Sequence, residues 1–267
     1  MASSRDILDD HGREPDLVVS WGTRPEQIAD VFLPASTDPA PLVLLWHGGY
    51  WRAGHDRLEV GALATDLAAR GYAVANMEYR VRSGDDWTVT LTDVADGADA
   101  TPGLVETAFP GRVDPSRILY AGHSAGGHLA VWASLRSILP PGAAGFSATP
   151  PPVHGVLALG PVLDLRAAEQ AGSGRNAVVE FLGGTPTEVP DRYAATDPVE
   201  IGAGAAPVII VHGDADDIAP IEFSRTHAAQ TGSTLVELAG ADHFHIITPT
   251  HPSYRATVSA IESLLVD

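Results

Sequence analysis

Gly122-His123-Ser124-Ala125-Gly126-Gly127-His128 decides how this chain folds, because of what stands on either side of it. Arg117-Ile118-Leu119-Tyr120-Ala121 before it is a short apolar run of the kind that forms a buried strand. Leu129-Ala130-Val131-Trp132-Ala133-Ser134-Leu135 after it has helical composition and no breaker. Gly-x-Ser-x-Gly at a strand-to-helix junction is a nucleophile elbow. The turn holds its serine in strained backbone geometry, and Gly122 and Gly126 leave room where a Cβ would strike neighbouring backbone. Ser124 Oγ is therefore expected to stand out of the sheet, at a helix N-terminus whose dipole favours negative charge.

Outward from the elbow, strand and helix patterns alternate. Gln27 to Leu33 alternates like a half-buried strand, and Pro41-Leu42-Val43-Leu44-Leu45-Trp46 is a continuous apolar run that reads as a central one. Arg57 to Arg70 reads as helix ended by Gly71, Tyr72 to Met77 as strand, and Thr88 to Phe109 as mostly helix, with Asp93 and Asp96 on its solvated face. Leu139 to Pro152 is rich in Pro, Gly and Ala and reads as loop. Strands follow at Val153–Gly160, Pro207–His212 and about Thr234–Leu238, then a helix from about Ser253 to Leu265. Strands separated by helix-length segments predict an α/β fold, a mostly parallel central sheet with helices on both faces. One domain over 1–267 is expected, with the irregular stretch 164–204 as a cap-like excursion over the active-site face.

Composition narrows the class of function. Of the 267 residues, 45% are hydrophobic, enough for a substantial core, and no segment approaches the ~20 uninterrupted apolar residues of a transmembrane span. Met1 to Pro15 has no apolar h-region, so a cytoplasmic location is expected. Cysteine is absent, which excludes disulfides, thiolate metal sites and a Cys nucleophile. A net charge of −18 argues against nucleic acid and anionic membrane surfaces as partners. The acids are dispersed, as on a solubilising surface, and are compatible with a homodimer.

A serine hydroxyl is a poor nucleophile until a base takes its proton, and the base needs an acid to hold its tautomer. After an elbow serine the expected chain order is acid, then histidine. Val211-His212-Gly213-Asp214-Ala215-Asp216-Asp217 follows a buried strand, so its acids sit at the strand's C-terminal edge, where open α/β sheets place their sites. Asp216 is the first candidate and Asp217 the second. Ala241-Asp242-His243-Phe244-His245 follows the last strand, with His243 as the first candidate base and His245 as the alternative. The His-x-His spacing also suits a metal, but no third ligand is evident, and neither metal nor cofactor is expected. Upstream, His47-Gly48-Gly49-Tyr50-Trp51 follows the central strand. Backbone N–H groups of Gly48 and Gly49, with that of Ala125 after the serine, are positioned to hold the oxyanion of a tetrahedral intermediate. Tyr50 and Trp51 are candidate substrate contacts; Phe244, Trp87 and Trp132 read as structural.

The segments 47–51, 122–130, 212–217 and 242–244 together resemble the α/β-hydrolase fold. Within it they are similar to the hormone-sensitive-lipase-like esterases and kynurenine formamidase. The Tyr50-Trp51 pair in the glycine loop carries the likeness to kynurenine formamidase, and the strand-end Glu78-Tyr79-Arg80 is similar to the family's Tyr-Arg at that place. Phe181-Leu182-Gly183-Gly184 and Asp197-Pro198 resemble bacterial relatives of prolyl oligopeptidases, but without a propeller domain a size-gated peptidase is not expected. What the resemblance implies is a metal-independent serine hydrolase acting on a small ester or amide through an acyl-enzyme on Ser124. An N-formyl arylamine such as N-formyl-kynurenine is the first substrate class and a short-chain aryl ester the second. The alternative is a ligand receptor, or a non-hydrolytic or C–C-cleaving tailoring enzyme on the same scaffold.

Overall fold

A computed structural model describes residues 3–82 and 86–266. Eight strands form one sheet: β1 (Leu17–Ser20), β2 (Ile28–Phe32), β3 (Ala40–Trp46), β4 (Ala73–Met77), β5 (Val113–His123), β6 (Gly155–Leu159), β7 (Val208–Gly213) and β8 (Thr234–Leu238). Their spatial order is β1-β2-β4-β3-β5-β6-β7-β8. The pairs β1/β2 and β2/β4 are antiparallel, and every pair from β4/β3 to β7/β8 is parallel. A parallel strand in the middle of such a sheet is covered on both faces, which is why β3 is an unbroken apolar run and is buried at all of its residues.

The longer helices are α1 (Gly61–Ala69), α2 (Val89–Ala108), α3 (Ala125–Ser134), α8 (Glu222–Thr231) and α9 (Tyr254–Leu264). Four short ones, α4 (Leu165–Gln170), α5 (Ala177–Leu182), α6 (Pro190–Ala194) and α7 (Pro198–Ile201), fill the stretch between β6 and β7. Two apolar clusters lie on the two faces of the sheet, alternate residues of β3 contributing to each: Leu42, Leu44 and Trp46 to one, Val43 and Leu45 to the other.

Three features depart from the sequence expectations. Asp93 does not lie on a solvated face. It is fully buried and accepts bonds from Arg80 Nη2 (2.6 Å), Arg80 Nε (2.8 Å) and Gln27 Nε2 (3.0 Å), so a paired charge stands where the polar periodicity pointed outward. Strand β1 and helix α8 add elements beyond those that periodicity marks. Arg57 to Arg70 begins as a 3₁₀ turn, Arg57–Val60, before α1 starts at Gly61. Among the described residues no helix is long and apolar enough to cross a membrane.

Candidate active site

The sheet brings the distant sequence candidates to one edge. His47 follows the end of β3, Ser124 the end of β5, Asp216 lies just past β7, and His243 lies in the loop after β8. Ser124 has φ 56° and ψ −120°, the strained elbow geometry, between the last residue of β5 and the first of α3. Its N–H donates to Leu159 O at 2.8 Å, which ties the elbow to β6. A Cβ at Gly126 would come within 2.1 Å of Trp46 O, so only glycine there lets α3 approach the end of β3. A Cβ at Gly213 would likewise stand 2.1 Å from Ala241 O, so glycine there lets the Asp216 and His243 loops meet.

His243 Nδ1–H donates to Asp216 Oδ2 at 2.6 Å, and both side chains are buried. The carboxylate accepts only, so Nδ1 carries a proton, and in the neutral ring the lone pair is on Nε2. Asp216 Oδ1 accepts from the N–H groups of Ile218 (2.9 Å) and Ala219 (2.8 Å), while Oδ2 lies 3.2 Å from His212 Nε2. Burial would raise the Asp216 carboxyl, but the bonds from His212 and His243 outweigh it and hold the group well below the ordinary carboxylate range. Asp217 is exposed, and Asp214, also exposed, accepts from Gly240 N–H at 2.6 Å. His245 is directed elsewhere: it stacks on His251 at 3.7 Å and its Nδ1 accepts from Asp242 N–H at 3.1 Å.

The glycine loop has its own supports. His47 Nδ1 bonds Gly48 O at 2.8 Å and Nε2 bonds Glu78 Oε1 at 2.9 Å, while its ring stacks on Tyr79 at 4.4 Å. Tyr79 OH donates to His47 O at 2.9 Å. Burial acts to raise Glu78, but the bond from His47 prevails and its carboxyl lies below its usual value. Tyr50 and Trp51 both hold left-handed backbone, φ 57° and 54°, a conformation worth roughly 1–2 kcal/mol of strain per non-glycine residue. Ala125 supplies the first amide of α3, which has no intrahelical acceptor.

Two small cavities meet at Ser124. One, of about 30 Å³, is lined by Gly48, Gly49, Tyr50, His243, Phe244 and, from the N-terminal 3₁₀ turn Ser4–Asp9, Arg5. The other, of about 10 Å³, is walled by Trp51, Val162, Ala168, Ala177 and Val178. Trp51 is 4% exposed and stacks on Phe181 at 4.9 Å, so it is a fixed wall, whereas Tyr50 is only half-buried. Phe244 packs in the core as well as bordering the first cavity. Trp132 is fully buried and donates to Ala195 O at 3.0 Å.

Several supporting groups carry no sequence signal of their role. His123 Nε2–H donates to His243 O at 3.0 Å, and burial, helped by the neighbouring His243, lowers its pKa to about 3. His212 stands near the end of β7, just before the acidic turn, and Glu78 directly after β4. A polar residue closing an apolar strand is the only hint of either.

The chain belongs to the BD-FAE family, whose model matches residues 29–230, and its fold is that of the α/β-hydrolases. Among characterised relatives it is similar to esterase LipC of Mycobacterium tuberculosis, 28% identical over 243 residues, which cover 84% of this chain and 58% of LipC. It is also 32% identical to kynurenine formamidase of Danio rerio over 113 residues, 42% of this chain and 36% of that protein. The chain thus spans little more than half of LipC and about a third of the formamidase. In three dimensions it resembles a truncated carbohydrate esterase from gut microbiota at a TM-score of 0.76 and 18% identity, covering 94% of this chain and 97% of that one.

Proposed function

We propose that the protein is a serine hydrolase that cleaves a small ester or amide through an acyl-enzyme on Ser124. The observation that carries this is the buried 2.6 Å contact of His243 Nδ1 with Asp216, set at the cavity that also holds the strained Ser124. In this reading His243 Nε2 takes the hydroxyl proton as Ser124 attacks, then gives it to the leaving group, and Asp216 fixes the tautomer and favours the imidazolium. The amides of Gly48, Gly49 and Ala125 hold the oxyanion, and water resolves the acyl-enzyme. The names of the relatives, an esterase and a formamidase among them, agree with this reading.

The cavities favour small acyl groups. A leaving group must lie where His243 can protonate it, so the His243 cavity takes the leaving group, and the narrow one beside Trp51 and Val178 takes the acyl chain. At about 10 Å³, room for about one water-sized group, that side favours the smallest acyl group, formyl. Half-buried Tyr50, unlike the walled-in Trp51, is open to stack on an aryl leaving group. Helices α4 and α5 then act as the cap over the acyl side.

The test is turnover of N-formyl-kynurenine beside p-nitrophenyl acetate and p-nitrophenyl octanoate, with the wild type and Ser124→Ala in parallel. Activity lost in Ser124→Ala supports the reading, and a preference for the formamide makes the aryl formamide the substrate class. Activity that survives in Ser124→Ala, or none on any of the three, overturns it.

A further inference from the structure

Arg5, with Leu8 of the same 3₁₀ turn, is remote in sequence from the other residues at the serine, yet it lines the same cavity as Ser124 and His243. Its backbone is anchored. Ser3 and Asp6 form a capping box around the 3₁₀ turn, and Ile7 and Leu8 pack against the apolar cluster on the Val43 and Leu45 face of the sheet. Farther on, Ala62 N–H donates to Asp10 O at 3.2 Å and Arg13 N–H to Thr65 Oγ1 at 3.1 Å. Of the other charges near the cavity, Glu59 accepts from His55 Nδ1 at 2.8 Å, Arg52 pairs with Glu180 at 2.5 Å, and exposed Asp217 adds a negative charge that acts on Tyr50 against Arg5. Among the described residues the Arg5 guanidinium has no salt bridge. Its charge nevertheless reaches into the site, where it opposes the effect of burial on the Tyr50 phenol.

A guanidinium carried by a residue that lines this cavity, with no salt bridge among the described residues, is a ready partner for a planar anion. The net charge of −18 makes a local cation the more necessary for such a substrate, because the protein as a whole repels it. Building on the serine-hydrolase chemistry proposed above, we infer that Arg5 is a specificity-determining residue that binds a carboxylate carried by the leaving group of the substrate. The preferred substrate is then a short-chain ester or amide whose departing alcohol or amine is itself an acid.

A matched pair of esters tests this: 4-acetoxybenzoate and its methyl ester, which share an acyl group and differ in the charge of the leaving group. The quantity read is the ratio of kcat/KM for the acid to that for the methyl ester, measured on one preparation, so that a partly misfolded variant does not distort it. Arg5→Gln is expected to lower that ratio about two- to fivefold through KM, as for an exposed charge-assisted pair, and Arg5→Lys to retain most of it. A ratio unchanged in Arg5→Gln, with hydrolysis still dependent on Ser124, overturns the role of Arg5 and leaves the hydrolase reading standing. Hydrolysis of both esters that persists in Ser124→Ala overturns that reading, and the role of Arg5 with it.

Discussion

Acid should unfold this protein through histidines that it buries in the neutral form. His128 lies on α3, four residues beyond the elbow serine, fully buried, with Nε2 donating to Thr196 O at 2.9 Å. Burial lowers its pKa to about 4 and that of His227 to about 4, and burial with His243 lowers His123 to about 3. Each folded value lies below the value of about 6.5 in the unfolded chain, so the contribution is complete above that pH and is lost as pH falls towards the folded pKa. At about pH 5 the unfolded chain has gained most of a proton at each site and the folded one almost none, a loss of about 2 kcal/mol per histidine and about 6 kcal/mol for the three. Asp197 works in the opposite direction. Burial raises it to about 6, so folding regains about 1 kcal/mol between pH 7 and pH 5 as the folded state takes up its proton first. The net loss of about 5 kcal/mol is comparable with the whole stability of many domains. His128→Leu isolates one contribution. It removes the titration at similar volume and leaves Thr196 O without its donor, which costs about 1–2 kcal/mol at every pH. Urea unfolding of wild type and variant at about pH 7 and pH 5 should then show the variant less stable at neutral pH but with a pH-dependence shallower by about 2 kcal/mol. Equal slopes in the two proteins would refute the neutral buried state of His128.

Other changes separate the roles of neighbouring residues. Asp216→Asn should lower kcat by about 10⁴-fold by freeing the wrong tautomer, while Asp217→Asn, at an exposed position, should stay within about twofold in a p-nitrophenyl acetate assay. His243→Ala should cost about 10³-fold or more in kcat and His245→Ala little, and equal small losses would remove both from the chemistry. Ser124→Gly should be inactive yet melt higher, because it releases roughly 1 kcal/mol of positive-φ strain, which calorimetry reads directly. Gly126→Ala drives a methyl group into the Trp46 and His47 carbonyls and should cost several kcal/mol, about 3 or more, with kcat falling as the glycine loop moves.

Much of this architecture is legible in the residues, and the remainder is hidden for definite reasons. Apolar runs mark β3, β5 and β6 because both faces of those strands are covered, and the elbow is a local motif whose glycines are demanded by close backbone approach. Strand β1 has one buried residue in four and, among the described residues, pairs with β2 alone, so its pattern carries almost no signal. Helix α8 buries only Phe223, Ser224 and His227, too little for a stripe. Asp93 looks solvated because its partner Arg80 comes from another element. The order acid-then-histidine puts Asp216 and His243 forward, but choosing them over Asp217 and His245 requires knowing which side chains turn inward. Arg5 is further still from local inference, since nothing near residue 5 refers to residue 124.

The stretch between β6 and β7 walls the cavity beside Trp51 and Val178, yet it supplies none of the sheet on which Ser124, Asp216 and His243 are mounted. A chain excursion of this kind can lengthen at small thermodynamic expense, since doubling a flexible loop adds only about 0.6 kcal/mol of closure entropy. On the function proposed above, residues 164–204 can be exchanged or extended to change the acyl group accepted, while the strands that carry Ser124, Asp216 and His243 stay untouched. For an engineer the same separation makes this stretch the place to graft diversity, with Ser124-dependent ester hydrolysis, as proposed above, read out to show whether each graft has left the scaffold standing.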